Sequence, residues 1–157
     1  MEINGIPLHP LVVHAAVVFV PLAGTAALAY ACVPRWRWWL RWPLAGLTFI
    51  AMASAYLATV TGSSLLDSRP ELGQLGTVSD HAKAGRLLRT VMIGFTVVSG
   101  LGIWRLGGPS ALASGRGARE QRGGVDLALA GLLVLASLVV LAAVVQAGHT
   151  GAKAVWG

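Results

Sequence analysis

The stretch LALAGLLVLASLVVLAAVVQ, from Leu127 to Gln146, contains no charged side chain. The hydrocarbon core of a bilayer is about 30 Å thick and takes about 20 helical residues to cross. This stretch therefore predicts a transmembrane helix over roughly 125–147. Three further apolar segments meet the same test, and they lie at about 11–32, 43–62 and 85–104.

The composition of the whole chain agrees with this assignment. The 157 residues are 55% hydrophobic and only 11% charged, whereas a soluble domain carries about 25% charged residues. So little polar surface cannot cover a water-soluble particle, and the lipid bilayer is the main predicted partner. We predict one all-α domain over 1–157, with four transmembrane helices arranged up-down-up-down and both termini on the same side.

The basic residues indicate which side that is. The connector between spans 1 and 2 and the one between spans 3 and 4 together contain Arg35, Arg37, Arg41, Arg105, Arg116, Arg119 and Arg122. These arginines outnumber the basic residues on the other side, so the positive-inside rule predicts a multi-pass plasma membrane protein with both termini outside. The clustering also explains the net charge of +6 without a nucleic-acid partner, which we do not expect. The connector at 107–124 is rich in Gly, Ser, Ala and Arg, and it predicts a mobile tether.

All four histidines fall at the ends of spans that should share the outer side, namely His9, His14, His81 and His149. His14 lies about one turn inside the first apolar span, where an imidazole without a partner is costly and is a functional candidate by default. His9 precedes a proline, which predicts a position at or before the start of the helix. Gly148 and Gly151 are predicted to end the fourth helix around His149.

Imidazole is the side chain best suited to ligating haem iron, copper or zinc. The histidine cluster therefore predicts a redox or metal-binding membrane protein. In its sharpest form, His14 with either His81 or His149 supplies the axial pair of a b-type haem. The cations nearby that are predicted to meet the haem propionates are Arg86, Arg89 and Lys153. A closely ranked variant is a copper or zinc site that uses three or four of the histidines, with His9 among them.

A different class of function also fits the residues. In a non-catalytic accessory or scaffold subunit of a membrane complex, the histidines would only belong to the membrane interface and to partner contacts, and no cofactor would bind. The chain contains no Walker, HExxH or Ser–His–Asp pattern, so no enzyme activity is predicted. It also lacks an ionisable residue in the middle of a span, which argues against a proton-coupled transporter. No internal repeat is strong enough to indicate inverted halves.

The opening of the chain, with its His-Pro-x-x-x-His pattern, resembles a family of small bacterial predicted membrane proteins of unknown function. The resemblance covers the whole chain and is carried by Pro7, His9, Pro10, His14, the segment 61–67, His81 and the closing run 148–156. The closing run is similar to the actinobacterial branch. The resemblance implies a four-helix integral membrane fold, sometimes joined to redox domains, with no established activity. Relatives often have Phe-Pro directly after the second histidine, where this chain has Ala15 and Ala16.

Overall fold

The computed structural model describes residues 2–3, 6–106 and 123–156. Within them the chain forms four long helices, α1 (Leu8–Cys32), α2 (Arg37–Ser68), α3 (Gly76–Leu106) and α4 (Gly124–Trp156). Short 3₁₀ turns at Pro34–Trp36 and Pro70–Gln74 join the first three helices. A two-stranded pair, β1 (Glu2–Ile3) and β2 (Ile6–Pro7), precedes α1.

All four helices are long and apolar enough to cross a membrane. The predicted all-α bundle of four transmembrane helices is therefore confirmed. Each helix extends beyond the apolar span that predicted it, because the length test counts only the residues that cross hydrocarbon. Helices continue into the headgroup region for as long as their backbone bonds can be made.

Two local predictions are wrong. Helix α1 already begins at Leu8, so His9 lies inside its first turn instead of before it. Helix α4 does not end at Gly148 or Gly151 but runs on to Trp156, and neither glycine has the left-handed backbone that a helix-terminating glycine adopts. The predicted mobile connector at 107–124 falls almost wholly outside the described residues, and its last residue, Gly124, begins α4.

The bundle consists of two helical hairpins, α1–α2 and α3–α4. Each hairpin packs most extensively within itself, and α1 then packs on α4 and α2 on α3. Helices α1 and α3 begin at the same end of the bundle, which we call the histidine end. The opposite end, where α1 and α3 finish, we call the arginine end.

The two hairpins bury largely the same positions. When His9 is aligned with His81, five of the seven buried residues of α1 coincide with buried residues of α3: Ala16 with Leu88, Val20 with Met92, Ala23 with Phe95, Ala27 with Ser99 and Tyr30 with Gly102. When Thr61 is aligned with Thr150, α2 matches α4: Leu44 with Leu133, Thr48 with Ser137, Ala51 with Val140 and Ala55 with Val144. The chain therefore contains a parallel repeat, a type of internal symmetry known in membrane proteins. Most of the paired residues differ in type, so the hydrophobic pattern of the sequence does not show the repeat.

At the arginine end, Arg37 ties the start of α2 to the end of α1. Its Nε donates to the Tyr30 carbonyl at 2.8 Å, and its Nη2 donates to the Ala31 carbonyl at 3.0 Å. The guanidinium carbon also lies 5.8 Å from the centre of the Tyr30 ring. These carbonyls belong to the last turn of α1, where the helix has no further N–H groups to donate to them.

We expect Arg37→Ala to destabilise the bundle by about 1–3 kcal/mol, because two charge-assisted hydrogen bonds to the end of α1 are lost. Thermal unfolding in detergent, followed by circular dichroism, measures the effect. Arg69→Ala is the control, because Arg69 is exposed at the histidine end. Equal unfolding midpoints for the two variants would show that the Arg37 contacts contribute nothing.

The predicted orientation can be tested with single cysteines. The chain has one cysteine, Cys32, so Cys32→Ser gives a background without thiols. We expect a membrane-impermeant maleimide to label Ser68→Cys in intact cells but to label Arg35→Cys only after lysis. Both positions are exposed, one at each end of the bundle. The opposite labelling pattern would reverse the orientation.

Candidate metal site

His9 reaches from the first turn of α1 across to α2. Its Nδ1 lies 3.0 Å from the Ala58 carbonyl oxygen and 3.4 Å from the Thr61 hydroxyl oxygen. The Thr61 hydroxyl has its own acceptor, the Leu57 carbonyl at 2.8 Å. Both oxygens that face Nδ1 therefore act as acceptors, so Nδ1 carries the hydrogen and donates it. The lone pair of the neutral ring is then on Nε2.

His81 makes the same contacts from α3 to α4. Its Nδ1 lies 3.2 Å from the Ala147 carbonyl oxygen and 3.4 Å from the Thr150 hydroxyl oxygen. The Thr150 hydroxyl in turn donates within its own helix, to the Gln146 carbonyl at 3.0 Å. The same reasoning assigns the hydrogen to Nδ1 and the lone pair to Nε2. Each hairpin thus holds one imidazole in one tautomer.

A glycine lies under each ring. A Cβ at Gly62 would lie 3.0 Å from Cε1 and 3.2 Å from Nδ1 of His9, and a Cβ at Gly151 would lie at the same two distances from His81. Any larger residue would push the ring away from the helix. Cε1 and Nδ1 are the ring atoms nearest to the glycine, and Nε2 follows at 3.8 Å from a Cβ at Gly62 and at 3.7 Å from a Cβ at Gly151.

The residues that receive each ring form a short motif, Ala-x-x-Thr-Gly, which occurs at 58–62 in α2 and at 147–151 in α4. Its spacing has a physical reason. The glycine follows the alanine by four residues, so its N–H is the helical partner of the alanine carbonyl. A carbonyl oxygen has two lone pairs, and the second one is open to the imidazole wherever no side chain covers it.

The two imidazoles lie next to each other, with ring centroids 6.0 Å apart and ring planes at 68°. In a linear nitrogen–metal–nitrogen arrangement with bonds of about 2.0 Å, two ring centroids are roughly 6 Å apart. A tetrahedral angle with the same bonds brings them to roughly 5 Å. The observed spacing matches two imidazoles on opposite sides of one ion.

The structure does not bring the other two predicted ligands to this pair. His14 is exposed, and its Nδ1 donates to the Pro10 carbonyl of its own helix at 2.6 Å. Because α1 begins at Leu8, His9 and His14 are about 140° apart around one continuous helix. When His9 faces the bundle, His14 must face outward. His149 is likewise exposed on α4.

The predicted propionate partners lie around the histidine end. Arg86 and Lys153 are exposed and Arg89 is half-buried. None of these three side chains forms a hydrogen bond or ion pair with another described residue. Asp80 pairs with Lys83 at 3.1 Å, where both side chains are 66% exposed.

The comparisons with known proteins agree with the fold. A family model described as "Predicted membrane protein (DUF2231)" matches residues 5–157. The chain belongs to this family. No curated protein and no solved structure matches the chain. The predicted resemblance to a family of uncharacterised membrane proteins is thus confirmed, and the family description names no activity.

For this DUF2231 member, the sequence predicted all four histidines as candidate ligands, with His14 in the axial pair; it predicted neither the pairing of His9 with His81 nor the residues that hold them. Thr61, Gly62, Thr150 and Gly151 received no role at the site. The signal that could have found them is the second occurrence of Ala-x-x-Thr-Gly, one near the end of span 2 and the other near the end of span 4. Two copies of a polar and glycine pattern at corresponding helix ends indicate a shared task.

We expect Gly62→Ala or Gly151→Ala to destabilise the bundle by about 1–3 kcal/mol, because the added Cβ overpacks the ring edge and pulls Nδ1 off its carbonyl. Thermal unfolding in detergent measures this. Gly94→Ala in α3 is the matched control, since a Cβ there meets nothing within 4 Å. Because alanine favours a helix by about 1 kcal/mol over glycine, Gly94→Ala should be neutral or stabilising. Equal effects at Gly62 and Gly94 would contradict the packing argument.

Proposed function

We propose that this membrane protein binds a transition metal at the histidine end of the bundle, through Nε2 of His9 and Nε2 of His81. The observation that carries the proposal is the pair itself, two imidazoles 6.0 Å apart from different hairpins. Each ring is held in the tautomer that leaves Nε2 free as a ligand. Metal-binding histidines usually donate their other ring nitrogen to a carbonyl or carboxylate in this way.

The number of ligands narrows the choice of metal. Across the described part of the chain, no group of three or more His, Cys, Asp or Glu side chains is arranged to hold an ion. Zinc and Cu(II) sites in proteins normally take three or four such ligands. Two imidazoles suffice for the iron of a b-type haem, which takes one on each face, and for Cu(I) in a linear site. Both metals have accessible redox couples, so we propose a redox role with either of them.

The setting of the site supports the same function. We propose that the histidine end faces the outside of the plasma membrane, as the positive-inside rule predicts. The two rings are half-buried at the end of the bundle. A metal there would be within reach of a partner in the outer aqueous phase while being held by the membrane-embedded helices.

We expect protein purified in mild detergent to carry about one copper or iron per chain, and that metal to be lost in His9→Ala and in His81→Ala. Metal analysis and the visible spectrum before and after dithionite are the measurements. His14→Ala and His149→Ala are matched controls, because both imidazoles are exposed and lie outside the pair. Loss of metal in these controls but not in the pair variants would contradict the proposal. A colourless, metal-free protein that co-purifies with a larger complex would favour the accessory role.

A further inference from the structure

The layer of the bundle next to the histidine pair, on the side of the arginine end, distinguishes a haem from a single metal ion. The buried positions within about two turns of the pair are mostly alanines, together with Leu88, which is 6% exposed. Ala55 is 3% exposed, Ala16 and Ala84 are 5% exposed, and Ala147 is 8% exposed. A slot wide enough for a haem would expose the side chains that line it, so this layer is closed.

The closed layer excludes a haem because of the direction in which the macrocycle would extend. A haem bound by two axial imidazoles lies perpendicular to the line that joins them. His9 on α1 and His81 on α3 face each other across the bundle, so the plane between them runs along the helices. Half of the macrocycle would therefore enter the closed alanine layer. A single ion between the rings needs no such space.

We infer that the occupant of this site is a single cuprous ion, held in linear coordination by Nε2 of His9 and Nε2 of His81. The inference rests on the proposed function and makes it specific. Cu(I) has a filled d shell and accepts two nitrogen ligands on opposite sides, which matches the 6.0 Å spacing of the rings. Imidazole is a ligand that copper accepts readily. Fixed Nδ1–H donors on both rings leave one lone pair on each for the ion.

The repeat explains how the chain achieves equal ligands. Ala-x-x-Thr-Gly at 58–62 and again at 147–151 gives the two imidazoles the same hydrogen-bond partners, at 3.0 and 3.2 Å from the alanine carbonyls, and the same glycine contact. Linear coordination uses two equivalent ligands on one ion. Two hairpins in a parallel repeat place two imidazoles that are held alike beside each other, with ring centroids 6.0 Å apart.

The test is a competition titration of the metal-free full-length protein in detergent, with Cu(I) supplied by a coloured cuprous chelator under anaerobic conditions. We expect one Cu(I) per chain, and an affinity at least about 100-fold lower in His9→Ala and in His81→Ala, because direct ligands matter more than the outer partners whose loss costs 10–100-fold. His14→Ala and His149→Ala should bind as the unmodified chain does. X-ray absorption at the copper edge should show two nitrogen neighbours at about 2 Å.

A parallel titration with haemin tests the cuprous ion separately from the proposed metal-binding function. A bis-imidazole haem spectrum that His9→Ala and His81→Ala abolish would overturn the cuprous ion and leave the proposed function intact. Failure of the unmodified protein to bind either copper or haem would overturn both. Because this last outcome is read on the unmodified protein, it does not depend on the variants folding. Gly62→Ala, which keeps both imidazoles but displaces one, should weaken Cu(I) binding, whereas Gly94→Ala should not.

Discussion

In hydrocarbon there is no water to bond with, so each backbone N–H and C=O must be satisfied inside the chain. Four long helices meet that requirement, and the same constraint shapes the histidine site. The Nδ1–H groups of His9 and His81 are satisfied by helix carbonyls, those of Ala58 and Ala147. This is possible because a helix carbonyl retains one free lone pair. The glycine four residues later clears the approach to it.

The parallel repeat shows which features of a membrane bundle must be kept and which are free to change. In the core, Ala23 of the first hairpin corresponds to Phe95 of the second, and Tyr30 corresponds to Gly102. A large residue in one hairpin thus matches a small residue in the other at the same depth. Close packing constrains the total volume of a layer but not the identity of each side chain.

The histidine site is different, because hydrogen bonding and ligation need particular atoms. Histidine, alanine, threonine and glycine recur there at corresponding positions in both hairpins. At the arginine end, the start of the second helix contacts the end of the first through a cation in one hairpin and through an anion in the other. Arg37 donates to the carbonyls that end α1, whereas Asp126 accepts from Arg105 at the end of α3, at 3.1 Å. Each arrangement ties the start of a hairpin's second helix to the end of its first.

The sequence is enough to assign the bilayer as the solvent of this protein and to count its helices. An uncharged run such as 127–146 has no stable place except the bilayer, and run length relates directly to bilayer thickness. The sequence also places all four histidines on one side of the membrane, because successive spans cross in alternate directions and this fixes the side on which each helix end lies. Helix ends were predicted less well. Gly148 and Gly151 resemble a helix terminus in the sequence, whereas in the structure Gly151 leaves space for the ring of His81.

Which of the four histidines meet is set by the assembled bundle. Sequence spacing shows that His9 and His14 differ in direction around the helix, but it does not show which of them faces inward. That choice depends on how α1 packs on α2 and α4, and packing turns His9 toward Ala58 and His14 outward. The repeat was hidden for the same reason. Its evidence is the shared burial of unlike residues, and burial is a property of the assembled bundle, whereas hydrophobicity along the chain can be seen in the sequence.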